Sequence, residues 1–241
     1  VELEADPGAT TTRQRAARER AARERQAQVA RALAQLPALE AKKKPDERLK
    51  ARASTTDPEA RVMKLADGGY RPAYNLQFAT DTGAQVIVGV DATNAGTDHG
   101  QLAPMVDQLE ARHAEAPGAM LVDGGFATKE DIAAVSDRTT VYAPVQKPKD
   151  PTRDPHAPLP TDTPAVAAWR ERMGTPEAQA LYKERAATAE CVNAQARNRG
   201  LRSLPVRGLA KVRVIALWYA VAHNLARAIA LGAVAGFLHR G

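Results

Sequence analysis

The segment "AMLVDGGFAT", residues 119–128, decides the predicted fold. An apolar run that stops at a carboxylate and two glycines is typical of a buried strand whose last residue leaves the sheet at a turn. Ligands bind at the carboxyl ends of strands in open α/β sheets, so Asp123 is a candidate site residue. The alternative is that Asp123 caps a following helix, predicted to begin at Thr128.

Strands and helices alternate on both sides of this segment. Three β-prone runs precede it, at residues 51–57, 70–81 and 84–93, and "TDTG" predicts a hairpin turn between the last two. A helix is predicted next, with one apolar face formed by Leu102, Met105, Val106 and Leu109. A helix at 128–136 and a strand at 139–145 follow Asp123. The order β-β-β-α-β-α-β predicts an α/β fold with a mixed sheet covered by helices.

The first 50 residues differ in pattern from the rest. Residues 11–36 are rich in helix formers and contain no Gly or Pro, which predicts one long helix. Only Val29, Leu33 and Leu36 form an apolar stripe, so we expect an exposed arm that breaks at Pro45. The predicted division is a basic helical arm or linker at 1–50 and a second domain at 51–241.

Charge is distributed unevenly along the chain. Residues 11–50 carry 12 basic and 5 acidic residues, residues 51–190 carry 14 and 20, and residues 191–241 carry 8 basic residues and no acid. Basic flanks around an acidic centre suit a protein that binds DNA and holds divalent metal in the middle. The alternative is that these runs are solvated faces. The single cysteine, Cys191, excludes an internal disulfide and favours a reducing, cytoplasmic setting.

The C-terminal region contains a long apolar run at residues 214–238. His223, Asn224 and Arg227 interrupt it, and a charge near a bilayer centre costs ~3 kcal/mol, so we predict no membrane partner. We expect a helix at 208–238 that covers the sheet, with its polar residues and Arg213 on the opposite side. Before it, the proline-rich residues 144–180 form a predicted insertion without regular structure throughout.

Several motifs together resemble one known family. "TTDPEAR", "YRPAYNLQFATD", "LVDGGF", "YKERAATAE" and "AHNLAR" occur in the order found in DDE transposases of bacterial insertion sequences, from about residue 40 to about residue 231. The resemblance implies a ribonuclease H-like catalytic domain with a five-stranded mixed sheet. It also implies that the chain is a C-terminal portion lacking the N-terminal DNA-recognition domain of that family.

The resemblance implies three catalytic acids that bind two Mg²⁺ or Mn²⁺ ions. By motif they are Asp57, Asp123 and Glu190, separated by 66 and 67 residues. Two such ions activate the attacking oxygen and stabilise the leaving oxygen in phosphodiester cleavage. Asp91 follows a stronger predicted strand than Asp57 and stays open as the first acid. Asp91 and Asp98 are also neighbours expected to shape the site. Asn94 and His99 either contact metal-bound water or DNA, or have a structural role.

The same motifs imply DNA contacts. Tyr182 and Arg185 precede the glutamate as in the family, and Arg197 stands where relatives commonly have Lys, which keeps the charge. Trp169 in the insertion either stacks on an unpaired base or packs the insertion onto the domain. The implied partners are transposon ends and target DNA, bound by a homo-oligomer in the cytoplasm near the nucleoid.

The implied activity is hydrolysis at transposon ends followed by strand transfer into target DNA. An alternative is a catalytically inactive, truncated transposase that acts only as a DNA-binding or assembly fragment. A third reading is a ribonuclease H-like nuclease that cleaves without strand transfer.

Overall fold

The computed structural model describes residues 11–65 and 67–233. In chain order the helices and strands are α1 (Thr12–Ala41), β1 (Arg61–Lys64), β2 (Tyr70–Ala73), β3 (Asn75–Thr80), β4 (Ile87–Thr93), α2 (Leu102–His113), β5 (Ala119–Leu121), α3 (Lys129–Val135), β6 (Thr140–Tyr142), α4 (Pro164–Met173), α5 (Pro176–Arg185), α6 (Cys191–Ala196) and α7 (Leu209–Ala230). A 3₁₀ helix at Pro45–Lys50 follows α1. Two π-helical turns, Ala186–Glu190 and Arg197–Leu201, flank α6.

Helix α1 begins at a reciprocal cap. The Thr11 hydroxyl accepts a hydrogen bond from the Gln14 N–H, and the Gln14 side chain accepts one from the Thr11 N–H. The helix continues through Pro37 to Ala41, five residues beyond the predicted end, and its side chains are mostly exposed. The residue predicted to break it, Pro45, instead begins the 3₁₀ helix, where a proline costs no hydrogen bond.

The strand predictions before α2 need two corrections. Residues 51–57 form no strand, and the first strand is β1, which pairs antiparallel with β2. The run at 70–81 is divided at Tyr74, so that β2 pairs with β1 and β3 pairs antiparallel with β4. The Tyr74 side chain donates to Asp57 at this point, and the chain changes its strand partner there.

The helices and strands from α2 to β6 are those predicted from the sequence. The four residues of the predicted apolar face, Leu102, Met105, Val106 and Leu109, are all buried. Strand β5 pairs in parallel with β6, and α3 connects them. Gly89 of β4 allows α2 to approach the sheet, because a Cβ there would lie 2.6 Å from Met105 Sδ. One core cluster joins α2, α3, β6 and α4, and a second joins β4 to α7.

The described strands form three two-stranded sheets, β1-β2, β3-β4 and β5-β6. The α/β class is therefore confirmed, whereas a continuous five-stranded sheet is absent from residues 11–65 and 67–233. The division of the sheet bears directly on the candidate site, because β3 and β5 border the same cavity.

Helix α7 packs on β4 through Val212, Ala216 and Ala220. The expectation that its polar residues face away from the sheet is wrong. His223 Nε2 lies 2.8 Å from the Gln85 carbonyl oxygen, and Arg227 Nε donates to the Ala84 carbonyl at 2.9 Å. The turn between β3 and β4 exposes backbone groups that need partners, and α7 crosses the sheet at that turn.

The outward face of α7 carries large apolar side chains instead. They are Val214, Trp218, Val221, Leu225 and Ile229, each about half or more exposed. In the part of the chain that the structure describes, no helix has the length and apolar character needed to cross a membrane. Residues 234–238, the end of the predicted C-terminal helix, lie outside the described residues.

Candidate active site

Asp123 follows β5 at the carboxyl end of that strand. Its Oδ1 accepts a hydrogen bond from the Gly125 N–H at 2.9 Å, and its carbonyl oxygen accepts one from the Phe126 N–H at 3.1 Å. Thr128, not Asp123, caps α3, because the Thr128 hydroxyl accepts from the Asp131 N–H. The turn therefore leaves the Asp123 carboxylate at the sheet edge, where α/β proteins bind ligands.

Asp98 approaches Asp123 across Gly125. A Cβ at Gly125 would lie 3.1 Å from Asp123 Oδ1 and 3.2 Å from Asp98 Oδ2, so the two oxygens lie no farther apart than the sum of those distances. Asp98 Oδ1 accepts hydrogen bonds from Asn75 Nδ2 at 2.6 Å and Gln77 Nε2 at 3.3 Å. These bonds from β3 hold Oδ1 of the Asp98 carboxylate.

A cavity of about 910 Å³ lies against both carboxylates. Strand β3 and residues 116–123 form two of its sides, and Arg185 and Asn193 also line it. The guanidinium and the carboxamide are suited to phosphate oxygens, and the two carboxylates are suited to hard cations. The cavity therefore holds carboxylates suited to a metal ion, together with a guanidinium and a carboxamide suited to the phosphate of a phosphodiester.

Glu190 ends the first π-helical turn and is 57% exposed. Its Oε1 forms an ion pair with Arg185 at 2.7 Å, and the Arg185 guanidinium lies 5.6 Å from the centre of the Tyr182 ring. Isolated π-helical turns within helices occur frequently at functional sites. The segment therefore presents the charge of Glu190 at the surface, neutralised by its neighbour.

The surroundings of Tyr182 change the pKa of its phenol. Burial raises the pKa of Tyr182, Arg185 lowers it, and the negative charges of Asp123 and Glu190 raise it further. Glu190 does not line the cavity beside Asp123, although Arg185, Ala189 and Asn193 on either side of it do.

Asp57, the third of those acids, lies at the start of α7. Its Oδ2 accepts hydrogen bonds from Tyr74 Oη at 2.9 Å and from the Gly208 N–H at 3.0 Å. Glu59 Oε2 accepts from the next helical N–H, that of Leu209, at 2.6 Å. Two carboxylates at a helix N-terminus satisfy its free N–H groups and match its dipole. This is an architectural contact, and Asp57 does not line the cavity beside Asp123.

Asp91, the alternative first acid, lies within β4 rather than after it. Its Oδ1 accepts from the Ala92 N–H at 2.8 Å and lies 3.3 Å from Arg213. Asn94 donates to the Glu59 carbonyl, and His99 is exposed. Neither Asp57 nor Asp91 lines the cavity beside Asp123, whereas Asp98, named from sequence only as a neighbour, does. In the sequence, Asp98 is recognisable only as a carboxylate in the segment between β4 and α2.

The carboxylates beside the cavity provide few protein ligands for a Mg²⁺ ion. In residues 11–65 and 67–233 no three His, Cys, Asp or Glu side chains converge tightly enough to enclose a metal ion. Mg²⁺ is nevertheless often bound by one or two carboxylates, with water and substrate phosphate completing the coordination. Asp98 and Asp123 fit that description.

Trp169 is 4% exposed, and its Nε1 donates to the Ala143 carbonyl at 3.2 Å. This placement fits packing of the insertion onto the domain and leaves no free ring face for a base. The insertion also contains α4 and the first five residues of α5, so it is more regular than its prolines indicated. Arg197, by contrast, is exposed in the second π-helical turn.

The fold and these groups define an α/β protein with a carboxylate at the carboxyl edge of a strand, beside a helix that supplies Arg185 to the same cavity. Residues 158–229 match the sequence model of a family described as transposase DDE domain. This match confirms the resemblance to DDE transposases. It includes Glu190 and leaves Asp57, Asp98 and Asp123 outside it. No curated protein and no solved structure matches the chain.

Proposed function

We propose that this chain is the catalytic region of a DNA transposase. It hydrolyses a phosphodiester at transposon ends with divalent metal and transfers the freed 3′ hydroxyl into target DNA. The observation that carries the proposal is the convergence of Asp98 and Asp123 beside a cavity that Arg185 also lines. The family match over residues 158–229 supplies the reaction class.

Asp123 and Asp98 are the residues that would hold Mg²⁺ or Mn²⁺, and Glu190 is the further ligand predicted by motif. Two bound ions would supply charge stabilisation to the attacking and leaving oxygens. Arg185, which pairs with Glu190 Oε1, and the exposed Arg197 carry guanidinium groups that would suit a DNA phosphate.

Asp57 and Asp98 are the two candidates for the first metal-binding acid, and substitution of each has a different expected effect. Asp57 is predicted by motif, and its hydrogen bonds at the start of α7 give it a measurable role in stability. Asp98 is favoured by its approach to Asp123 across Gly125. Asp98→Asn should abolish cleavage and leave stability nearly unchanged if Asp98 is the ligand.

The proposal is tested by a Mg²⁺-dependent cleavage and strand-transfer assay on DNA that carries the transposon ends. Asp123→Asn should reduce both products by at least a hundredfold. Asp107→Asn is the matched control, because Asp107 is an exposed partner of Arg138 outside the site. Equal product from wild type and Asp123→Asn would refute the catalytic proposal. Cleavage without strand transfer would instead identify a nuclease.

A catalytically inactive DNA-binding or assembly fragment is the second candidate function. The ion pair between Arg185 and Glu190, together with the lack of a three-ligand cluster in the described residues, favours it. Such a fragment would bind DNA with a steep salt dependence and yield no cleavage product. Sedimentation of the chain with and without DNA tests the expected homo-oligomer.

A further inference from the structure

The outward face of α7 carries one continuous row of large apolar side chains, the α7 stripe. Its members follow one another at intervals of four, three, four and four residues, and they are Val214, Trp218, Val221, Leu225 and Ile229. At 100° per residue they lie within about 80° of arc on the helix. Each is between 48% and 72% exposed in the part of the chain that the structure describes. This spacing is typical of a helix face that packs against another helix.

No charged side chain interrupts the α7 stripe. Arg227 is the one acidic or basic residue between Val214 and Ile229, and it donates to the Ala84 carbonyl on the sheet side. That side of α7 is already packed against β4. The stripe is about 24 Å long, and exposed apolar patches of this kind mark interaction surfaces on soluble proteins. Its partner therefore presents an apolar surface of similar length.

We propose that the α7 stripe pairs with the same stripe on a second copy of this chain, with the two helices antiparallel. The stripe is nearly symmetric about Val221. Trp218 and Leu225 lie three and four residues from it. Val214 and Ile229 lie seven and eight residues from it. A two-fold axis at Val221 therefore covers all members of both stripes in one isologous contact. This dimer goes beyond the proposed function, because it involves neither DNA nor catalysis.

The charges at the two ends of α7 favour the antiparallel orientation. Lys211 is exposed in the first turn and lies ten residues before Val221. In an antiparallel pair it reaches the C-terminal end of the other α7, where the helix dipole is negative. A parallel pair would place two Lys211 ammonium groups beside each other, and α7 contains no acidic residue to offset them.

Sedimentation equilibrium on the full 241-residue chain without DNA tests the proposal. A contact of this size is at the small end of specific interfaces, so we expect a monomer–dimer equilibrium with a Kd on the order of 10 µM. Leu225→Arg should raise that Kd at least about tenfold, because it buries an unpaired charge in the contact. A wild-type chain that stays monomeric at about 200 µM would overturn the proposal.

The matched control is Leu33→Arg on α1. Leu33 is 59% exposed and Leu225 is 57% exposed, so both substitutions place the same charge on an exposed helix position. Leu33→Arg should leave the Kd unchanged. Equal effects of the two substitutions would overturn the proposal.

Tryptophan fluorescence tests the same surface without any substitution, so a folding defect in a variant cannot obscure the result. The chain has two tryptophans, of which Trp169 is 4% exposed and Trp218 is 72% exposed. Acrylamide should therefore quench chiefly Trp218 in the monomer. Quenching should fall at least about twofold as the wild-type chain is concentrated from about 1 to about 200 µM. Weak quenching that does not depend on concentration would show that a segment of the same chain covers the stripe, and would overturn the proposal.

Disulfide formation in a Cys191→Ser background tests the orientation. Val221→Cys should give a covalent dimer on mild oxidation, because the two introduced thiols meet at the axis. Val214→Cys should not, since its two thiols lie about 20 Å apart in an antiparallel pair. Covalent dimers of both variants would overturn the antiparallel arrangement. None of these measurements involves DNA cleavage, so their failure is distinct from failure of the proposed function.

Discussion

Asn224 on α7 makes two hydrogen bonds to the backbone of Ile87 at the start of β4. Its Nδ2 donates to the Ile87 carbonyl at 2.8 Å, and its Oδ1 accepts from the Ile87 N–H at 2.7 Å. A side-chain amide thus substitutes for a neighbouring strand at this point of the sheet. The bond pair joins residues 137 positions apart and fixes α7 against the β3-β4 hairpin.

Asn224→Ala should lower the free energy of unfolding by about 2 kcal/mol, because both backbone groups of Ile87 lose their partner. Urea unfolding measures the change. Leu225→Ala is the control on the same helix, since Leu225 is 57% exposed and its loss should cost under about 0.5 kcal/mol. Equal effects of the two substitutions would contradict the role given to Asn224.

Gly89→Ala should destabilise the fold by about 1 to 3 kcal/mol, because the new methyl group would lie 2.6 Å from Met105 Sδ and 3.0 Å from Ala79 Cβ. Adding Met105→Ala should recover part of that loss. A double-mutant cycle by urea unfolding measures the coupling. Strict additivity would show that Met105 does not obstruct the added methyl group.

Asp57→Asn should lower the free energy of unfolding by about 1 kcal/mol, since a carboxylate that accepts from Tyr74 and Gly208 is replaced by a neutral amide. Tyr74→Phe removes one of the same bonds, and the two substitutions should be strongly coupled. A fall in DNA cleavage with no change in stability would instead support the catalytic role predicted from the motif.

These contacts show which features of the fold the sequence predicts. The buried face of α2 is a local pattern, so Leu102 and Leu109 are identified from spacing alone. The bond from Gly208 to Asp57 spans 151 residues, and no local pattern indicates it. Similarly, the polar residues of α7 are predicted to be exposed, because no local pattern indicates that they bond to the turn between β3 and β4. Asp123 is a candidate from sequence because its signal lies within one strand and turn, whereas the proximity of Asp98 depends on how two separate segments pack.

The ion pairs of Asp162 should make stability depend on pH in the acid range. Burial raises the pKa of Asp162, but hydrogen bonds from Lys129, the Leu159 N–H and Arg170 outweigh it and lower the pKa from 3.8 to about 2. A depressed carboxyl pKa contributes stability above pH 3.8, and that contribution is lost as the pH falls to about 2. Asp162→Asn should flatten this part of the pH profile measured by thermal unfolding, whereas Asp107→Asn should not.

Arg185→Gln should change two independent measurements, because Arg185 contacts both Glu190 and the Tyr182 ring. The positive charge lowers the pKa of Tyr182, so its removal should raise that pKa further, as measured by ultraviolet titration. The same substitution should weaken DNA binding uniformly across sequences and reduce the salt slope by about one. Arg138→Gln is the control, since Arg138 pairs with Asp107 and Glu110 away from the cavity. A shift in the Tyr182 titration with unchanged DNA affinity would restrict Arg185 to holding Glu190, and exclude it from contact with DNA.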